Sequence, residues 1–105
     1  MQYSSGYTVR FDAGHRYTVT VTWTREGFPE TDLEAFTLGK TRVDALTREL
    51  ANRDLIKMLG SYHPSCYGIA SFFMDRLAIN MPVQRVEVHE SDSDIRATVE
   101  ASAEF

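Results

Sequence analysis

Cysteine is nearly absent from this 105-residue chain. Cys66 stands alone, so no internal disulfide can form, and thiolates cannot by themselves build a structural zinc site. That scarcity favours a reducing compartment, and a cytoplasmic location is expected. Histidine (His15, His63, His89) and lysine (Lys40, Lys57) are also sparse, which leaves few places for metal or amine chemistry. No apolar run approaches the roughly 20 residues needed to cross a bilayer. The opening Met1 to Gly6 has neither the basic stretch nor the apolar core of a signal peptide. No membrane partner is expected. The formal net charge is −4 and the eleven Lys and Arg residues are scattered, so the clustered basic surface that nucleic acid requires is missing as well. Hydrophobic residues at 43% and charged residues at 25% argue against disorder. The length suits one domain, residues 1–105, with a modest core.

What is present alternates. Tyr7, Val9 and Phe11 share one face of a strand, and Asp12-Ala13-Gly14 supplies turn chemistry. From Arg16 to Thr24, Tyr17, Val19, Val21 and Trp23 face one way and four threonines face the other. Residues 6–25 therefore predict a β-hairpin, with Trp23 in the core or at a subunit interface. Residues 26–40, with Gly27, Pro29 and Gly39, read as a connection with a short strand near Leu33 to Phe36. Thr41 and Asp44 resemble a capping box, and Val43, Leu46 and Leu50 predict an amphipathic helix over 42–52. Leu55, Met58 and Leu59 lead to Gly60 as a stop. Pro64 suits a first helical turn, and Cys66, Ile69, Ala70, Phe73 and Leu77 form a second stripe to about Ala78. Val83 to Glu90 predicts a third strand, Ser91 to Asp94 a solvated turn, and Ile95 to Ala103 a last strand of small side chains. The fold class is α+β, ordered ββααββ: a four-stranded antiparallel sheet with two helices on one face. Its unpaired edges and threonine-rich second face point to a homo-oligomer, with the sheets continuing into a larger sheet or barrel.

This order, with several local strings, resembles the tunnelling-fold (T-fold) family, in the branch of 6-pyruvoyltetrahydropterin synthase and 6-carboxytetrahydropterin synthase. The string Val86-Glu87-Val88-His89-Glu90-Ser91-Asp92-Ser93-Asp94-Ile95 is similar to the family's strand ending in Glu-Thr or Glu-Ser before a polar turn. The resemblance implies that Glu90 grips a pterin ring through its ring NH and amino group. Gly14-His15-Arg16-Tyr17-Thr18-Val19 looks like the end of the family's His-Gly-His-x-Tyr-x-Val, which makes His15 the last of three zinc histidines. Leu50-Ala51-Asn52-Arg53-Asp54-Leu55 is similar to Leu-Asp-His-Arg-Asp-Leu-Asn, and Pro64-Ser65-Cys66-Tyr67-Gly68-Ile69-Ala70 to Pro-Thr-x-Glu-Asn-x-Ala. In the family, subunits assemble side by side into a barrel and bind ligand between neighbours.

The departures bear on chemistry. The shortened first turn removes the segment carrying the first two zinc histidines and the catalytic cysteine, and Ala51-Asn52 replaces the catalytic Asp-His pair. Asparagine neither titrates near neutral pH nor relays a proton as imidazole does. No resident cofactor is expected, and zinc would need two further histidines beside His15. Glu90, His15 and His63 are the ligand-binding candidates, and the catalytic residues stay unassigned. Each has a plainer reading: a charged strand end, a solvated turn histidine, a loop residue beside Tyr62. Cys66 reads either as a nucleophile near His63 or as a core thiol. Three functions follow. The first is a divergent pterin-synthase-like protein binding a pterin- or purine-like heterocycle through Glu90. The second is a metal-free dihydroneopterin aldolase or epimerase, using lysine and tyrosine. The third is a non-catalytic assembly subunit.

Overall fold

The computed structural model describes residues 2–26 and 33–101. Two long strands open the chain, β1 (Gln2–Asp12) and β2 (Arg16–Glu26). Three helices follow: α1 (Leu33–Leu50), the single-turn α2 (Leu55–Leu59) and α3 (Cys66–Leu77). The chain closes on β3 (Val83–Glu90) and β4 (Ile95–Glu100). The strands form one antiparallel sheet in the order β1-β2-β3-β4. Gly27 and Pro29, read as connection, and Ala103, read as strand, lie outside the described residues.

Alternation carries over directly into packing. Val9, Phe11, Tyr17, Val19, Val21 and Trp23 are buried, as are Val83, Val86 and Val88 of β3. They meet Val43 and Leu50 of α1 and Ile69, Ala70 and Phe73 of α3 in one core. The threonine face is bare of helices, and the Thr8 and Thr20 hydroxyls lie 3.0 Å apart on it. Strict alternation would point Val83 away from Val86. A register irregularity opposite Thr22 and Trp23 restores it, pairing Thr22 with Arg85 but Trp23 with Val83. Gly14, at φ 86°, makes the tight β1–β2 turn, closed by Ala13 N donating to His15 O at 3.0 Å.

The helical region departs from the sequence reading in four ways. First, α1 begins at Leu33, so the short strand near Leu33 to Phe36 is helix instead. Phe36, Gly39, Val43, Leu46 and Leu50 recur at helical spacing, and Gly39 belongs to that inward stripe. Trp23 explains why. A Cβ at Gly39 would stand 2.9 Å from its Cζ2, so only glycine lets the helix lie against an indole that also stacks on Phe36 at 5.7 Å. Second, Thr41 is no cap; its hydroxyl donates back to Thr37 O inside the helix at 2.9 Å. Third, α1 stops at Leu50 because Asn52 turns left-handed at φ 60°, its N–H reaching Asp12 O at 2.6 Å. Residues 55–59 then form a separate helix, capped by Asp54, whose Oδ1 accepts from Ile56 N at 3.0 Å. Fourth, Pro64 precedes α3 rather than opening it; Ser65 is the N-cap, accepting from Gly68 N. The sheet thus carries three helices on one face, the shortest inserted between the two expected.

Gly68 is buried in the first turn of α3, where an added Cβ would collide with the backbone carbonyl of His63. A backbone atom cannot swing aside as a side chain can. Gly68→Ala should therefore destabilise the fold by about 1–3 kcal/mol despite alanine's better helix propensity. Chemical denaturation of the two proteins measures this, and equal midpoints would refute it.

Candidate functional site

Glu90 ends β3 and is paired in register with Tyr17 on one side and Ile95 on the other. Because Val86 and Val88 point into the core, the residue two further on points the same way. Glu90 therefore projects from the helix-covered face, at its edge, with only 15% of its side chain exposed. His89 takes the opposite face, where its Nε2 lies 2.8 Å from Asp94 Oδ1.

The β1–β2 turn supplies the partner for this covered charge. His15 Nδ1 lies 3.2 Å from Glu90 Oε1 and 3.8 Å from Asp92 Oδ2, while the imidazole itself is 59% exposed. The two turns are tied together by backbone: Ser91 N donates to Arg16 O at 2.9 Å and Arg16 N to Asp92 Oδ2 at 3.3 Å. Cys66 lies beneath them at the start of α3, its Sγ 3.7 Å from Ile95 O. Burial pushes its thiol above the ordinary value, and the negative charge of Glu90 adds to the effect. The Tyr17 phenol is raised for the same two reasons in the same order. Glu90 thus looks out beside a phenol ring, a buried thiol and the exposed Ile95.

His15 and Tyr17 also line a cleft of about 350 Å³. Gly14, Arg53, Asp54, Ile56 and Pro64 complete its walls. A second cleft, of about 460 Å³, is lined by Tyr62, His63, Tyr67, Ser71, Asp75 and Val99. The two share no lining residue, so the structure brings His15 and Glu90 together and sets His63 apart. Tyr62 donates to Asp75 in that second cleft at 2.6 Å, a bond that raises its phenol.

The three-histidine zinc set does not fit this chain. His89 is on the far face and His63 in another cleft, and the one cluster of three ligand-type side chains among the described residues is His15, Glu90 and Asp92. Neither lysine is paired with Glu90 among the described residues. Lys40 lies over the Tyr7 ring, 5.5 Å from its centroid, and Tyr7 donates to Asp44 at 2.7 Å. Tyr7 pairs with Val21, four residues along β2 from Tyr17. Lys57 is exposed on α2.

Some of this was hidden in the sequence. Asp92 and Asp94, read as a solvated hairpin tip, are exposed but engaged, the first by Arg16 and His15 and the second by His89 and Arg96. His89 holds the Asp94 carboxyl below its usual range. Arg53 as a cleft residue carried no signal beyond its place in one string. Of the two readings of Cys66, the geometry favours the core thiol: it is 3% exposed and no hydrogen bond joins it to His63.

No family model matches the sequence of this chain, and no curated protein matches it. Its fold is similar to that of 6-pyruvoyl tetrahydropterin synthase from Caenorhabditis elegans, with a TM-score of 0.68 over 97% of this chain and 94% of that one. The two are 14% identical, so the likeness is one of fold. The α+β sheet-and-helix arrangement expected of the T-fold is the one observed. No described helix is long and apolar enough to cross a membrane.

With its pKa raised and its side chain covered, Cys66 should react with an aromatic disulfide reagent at pH 7–8 far more slowly in the native protein than in denaturant. Glu90→Gln removes the nearby charge and should speed the native reaction. Equal rates in native and unfolded protein would contradict the geometry.

Proposed function

We propose that this chain is a divergent 6-pyruvoyltetrahydropterin-synthase-like T-fold protein that binds a pterin- or purine-like heterocycle through Glu90, with His15 beside it. The observation that carries this reading is the enclosed carboxylate: the Glu90 side chain is 15% exposed, next to a tyrosine and an exposed isoleucine in register, with an exposed turn histidine as its partner. A carboxylate so placed gains two parallel hydrogen bonds from an N–C–NH₂ edge, stronger than neutral ones because the acceptor is charged. His15 occupies one of its oxygens and is itself mostly exposed, so an incoming ring can displace or stack on it. His63 lines the separate cleft, away from the Glu90 and His15 pair. The family's zinc and proton relay are not part of the reading, since Asn52 is used to end α1 and the histidines are dispersed.

Self-association belongs to the same reading. Ile95, Ala97 and Val99 of the edge strand β4 remain partly exposed on the helix side, next to Glu90. An edge of that kind gains both hydrogen bonds and apolar burial when a second copy pairs with it. Sedimentation should report a mass several times 11.9 kDa, and a monomer at micromolar concentration would remove the shared-site arrangement.

Pterin fluorescence supplies the binding test. Glu90→Gln keeps the shape but loses the charge and one acceptor, and should weaken pterin binding about 10- to 100-fold, the equivalent of a hydrogen bond to a charged group. Retained affinity in a folded Glu90→Gln protein would sink the assignment.

A further inference from the structure

Each outer edge of the sheet carries a helix flank with an unpaired charge, and the two charges are opposite in sign. On the β4 side, Tyr67, Ser71 and Asp75 follow one another at four-residue spacing along α3 and line the second cleft with Val99. Tyr62 donates to Asp75 Oδ2 at 2.6 Å, and among the described residues that carboxylate has no cationic partner. Its neighbour Arg76 is turned onto the Phe72 ring, 4.7 Å from the centroid. The walls of the cleft therefore hold an acid and two tyrosine rings, one of them 64% exposed, and no lysine or arginine. On the β1 side, Lys40 and Asp44 of α1 lie beside Tyr7, whereas Arg42 reaches the other way, to Asn80 O at 2.9 Å. Lys40 has no ion-pair partner among the described residues; its ammonium rests over the Tyr7 ring, and the Tyr7 hydroxyl occupies Asp44. Sheet register puts the two flanks at one level: Tyr7 pairs with Val21, Val21 with Val86, and Val86 with Val99.

Resting on the self-association read above, we propose that the second cleft is the socket for Lys40 of a second copy of this chain, whose β1 lies beside β4. The two strands run in opposite directions and each has one unpaired side, so this pairing continues the antiparallel ladder. The approach that brings in β1 also brings α1 against α3, and so the Lys40 ammonium toward Asp75. A cation entering there meets a carboxylate with one oxygen still free and two tyrosine rings, surroundings that attract an ammonium. Like edges are poorly matched. Joining β4 to β4 sets Asp75 against Asp75, and joining β1 to β1 sets Lys40 beside Lys40. The contact is therefore head to tail, the β1 flank of one copy on the β4 flank of the next. Neither Lys40 nor Asp75 is bonded to Glu90 or His15, so assembly can be altered without altering that pair.

Sedimentation of the wild-type chain, Lys40→Glu, Asp75→Lys and the double variant tests this, with circular dichroism to show that each is folded. Each single reversal places like charges in the socket and should raise the midpoint concentration for assembly about ten-fold or more. The milder Lys40→Gln and Asp75→Asn should shift it the same way by roughly a few-fold. The double variant restores an opposite pair and should return to within about three-fold of wild type. Mixing the two single reversals should also restore association, because a head-to-tail contact between them joins the two reversed charges. Tyr62→Phe removes the bond to Asp75 but keeps the carboxylate, and should assemble as wild type does. Added salt should weaken assembly of wild type and double variant alike. If wild type assembles and the reversals leave it unchanged, or the folded double variant and the mixture both stay apart, the Lys40 socket is overturned while self-association stands. If wild type is a monomer at micromolar concentration, both fall together.

Discussion

A carboxylate that leaves water must find a partner or lose its charge, and Glu90 meets that constraint at the rim of the sheet. Its register between Tyr17 and Ile95 forces the side chain toward the helices, while its place at the strand end keeps it from being swallowed by the core. The neighbouring turns are organised around that half-covered charge. His15 stands 3.2 Å away, Asp92 leans in behind it, and Arg16 ties Asp92 back to the first hairpin. Two turns far apart in sequence are thus joined where one acid emerges. The acid, the imidazole and the second carboxylate are thereby held within a few ångströms of one another.

Close packing beneath the site is governed by two glycines. Gly39 lets α1 rest on Trp23, and Gly68 lets α3 start against the backbone of His63. The first sets how near the long helix lies to the hairpin. The second sets where Cys66 falls, under Ile95 and beside Glu90, where burial keeps it a thiol. The groups gathered at the site are few: the Glu90 acid, the His15 imidazole and the Tyr17 phenol. A metal triad of histidines is out of reach, because the sheet sends His15 and His89 to different faces and the α2–α3 loop takes His63 elsewhere.

The strands were legible because period-two patterning depends only on neighbours along the chain. Tyr17 to Trp23 and Val86 to Glu90 declare their faces, and so the side to which Glu90 points, without reference to anything else. Helix boundaries were less so. Gly39 and Thr41 carry local signals for a break and a cap, and both were overruled by contacts with Trp23 and with the preceding turn. Asn52 looked like a lost catalytic residue; its left-handed backbone and its bond to Asp12 O give it a structural task visible only once the hairpin and α1 are side by side.

By itself, the amino-acid order determined the α+β class, the four strands, the faces of the sheet and the position of Glu90 at a strand end, since each follows from hydrophobic periodicity and turn chemistry within a short window. Tertiary structure alone decided that His15 partners Glu90, that His63 lines a different cleft, that Gly39 continues a helix, and that Arg53 joins His15 and Tyr17 on the wall of the adjoining cleft. Those are distances between segments tens of residues apart. They are set by how the helices seat on the sheet, and no local pattern carries that information.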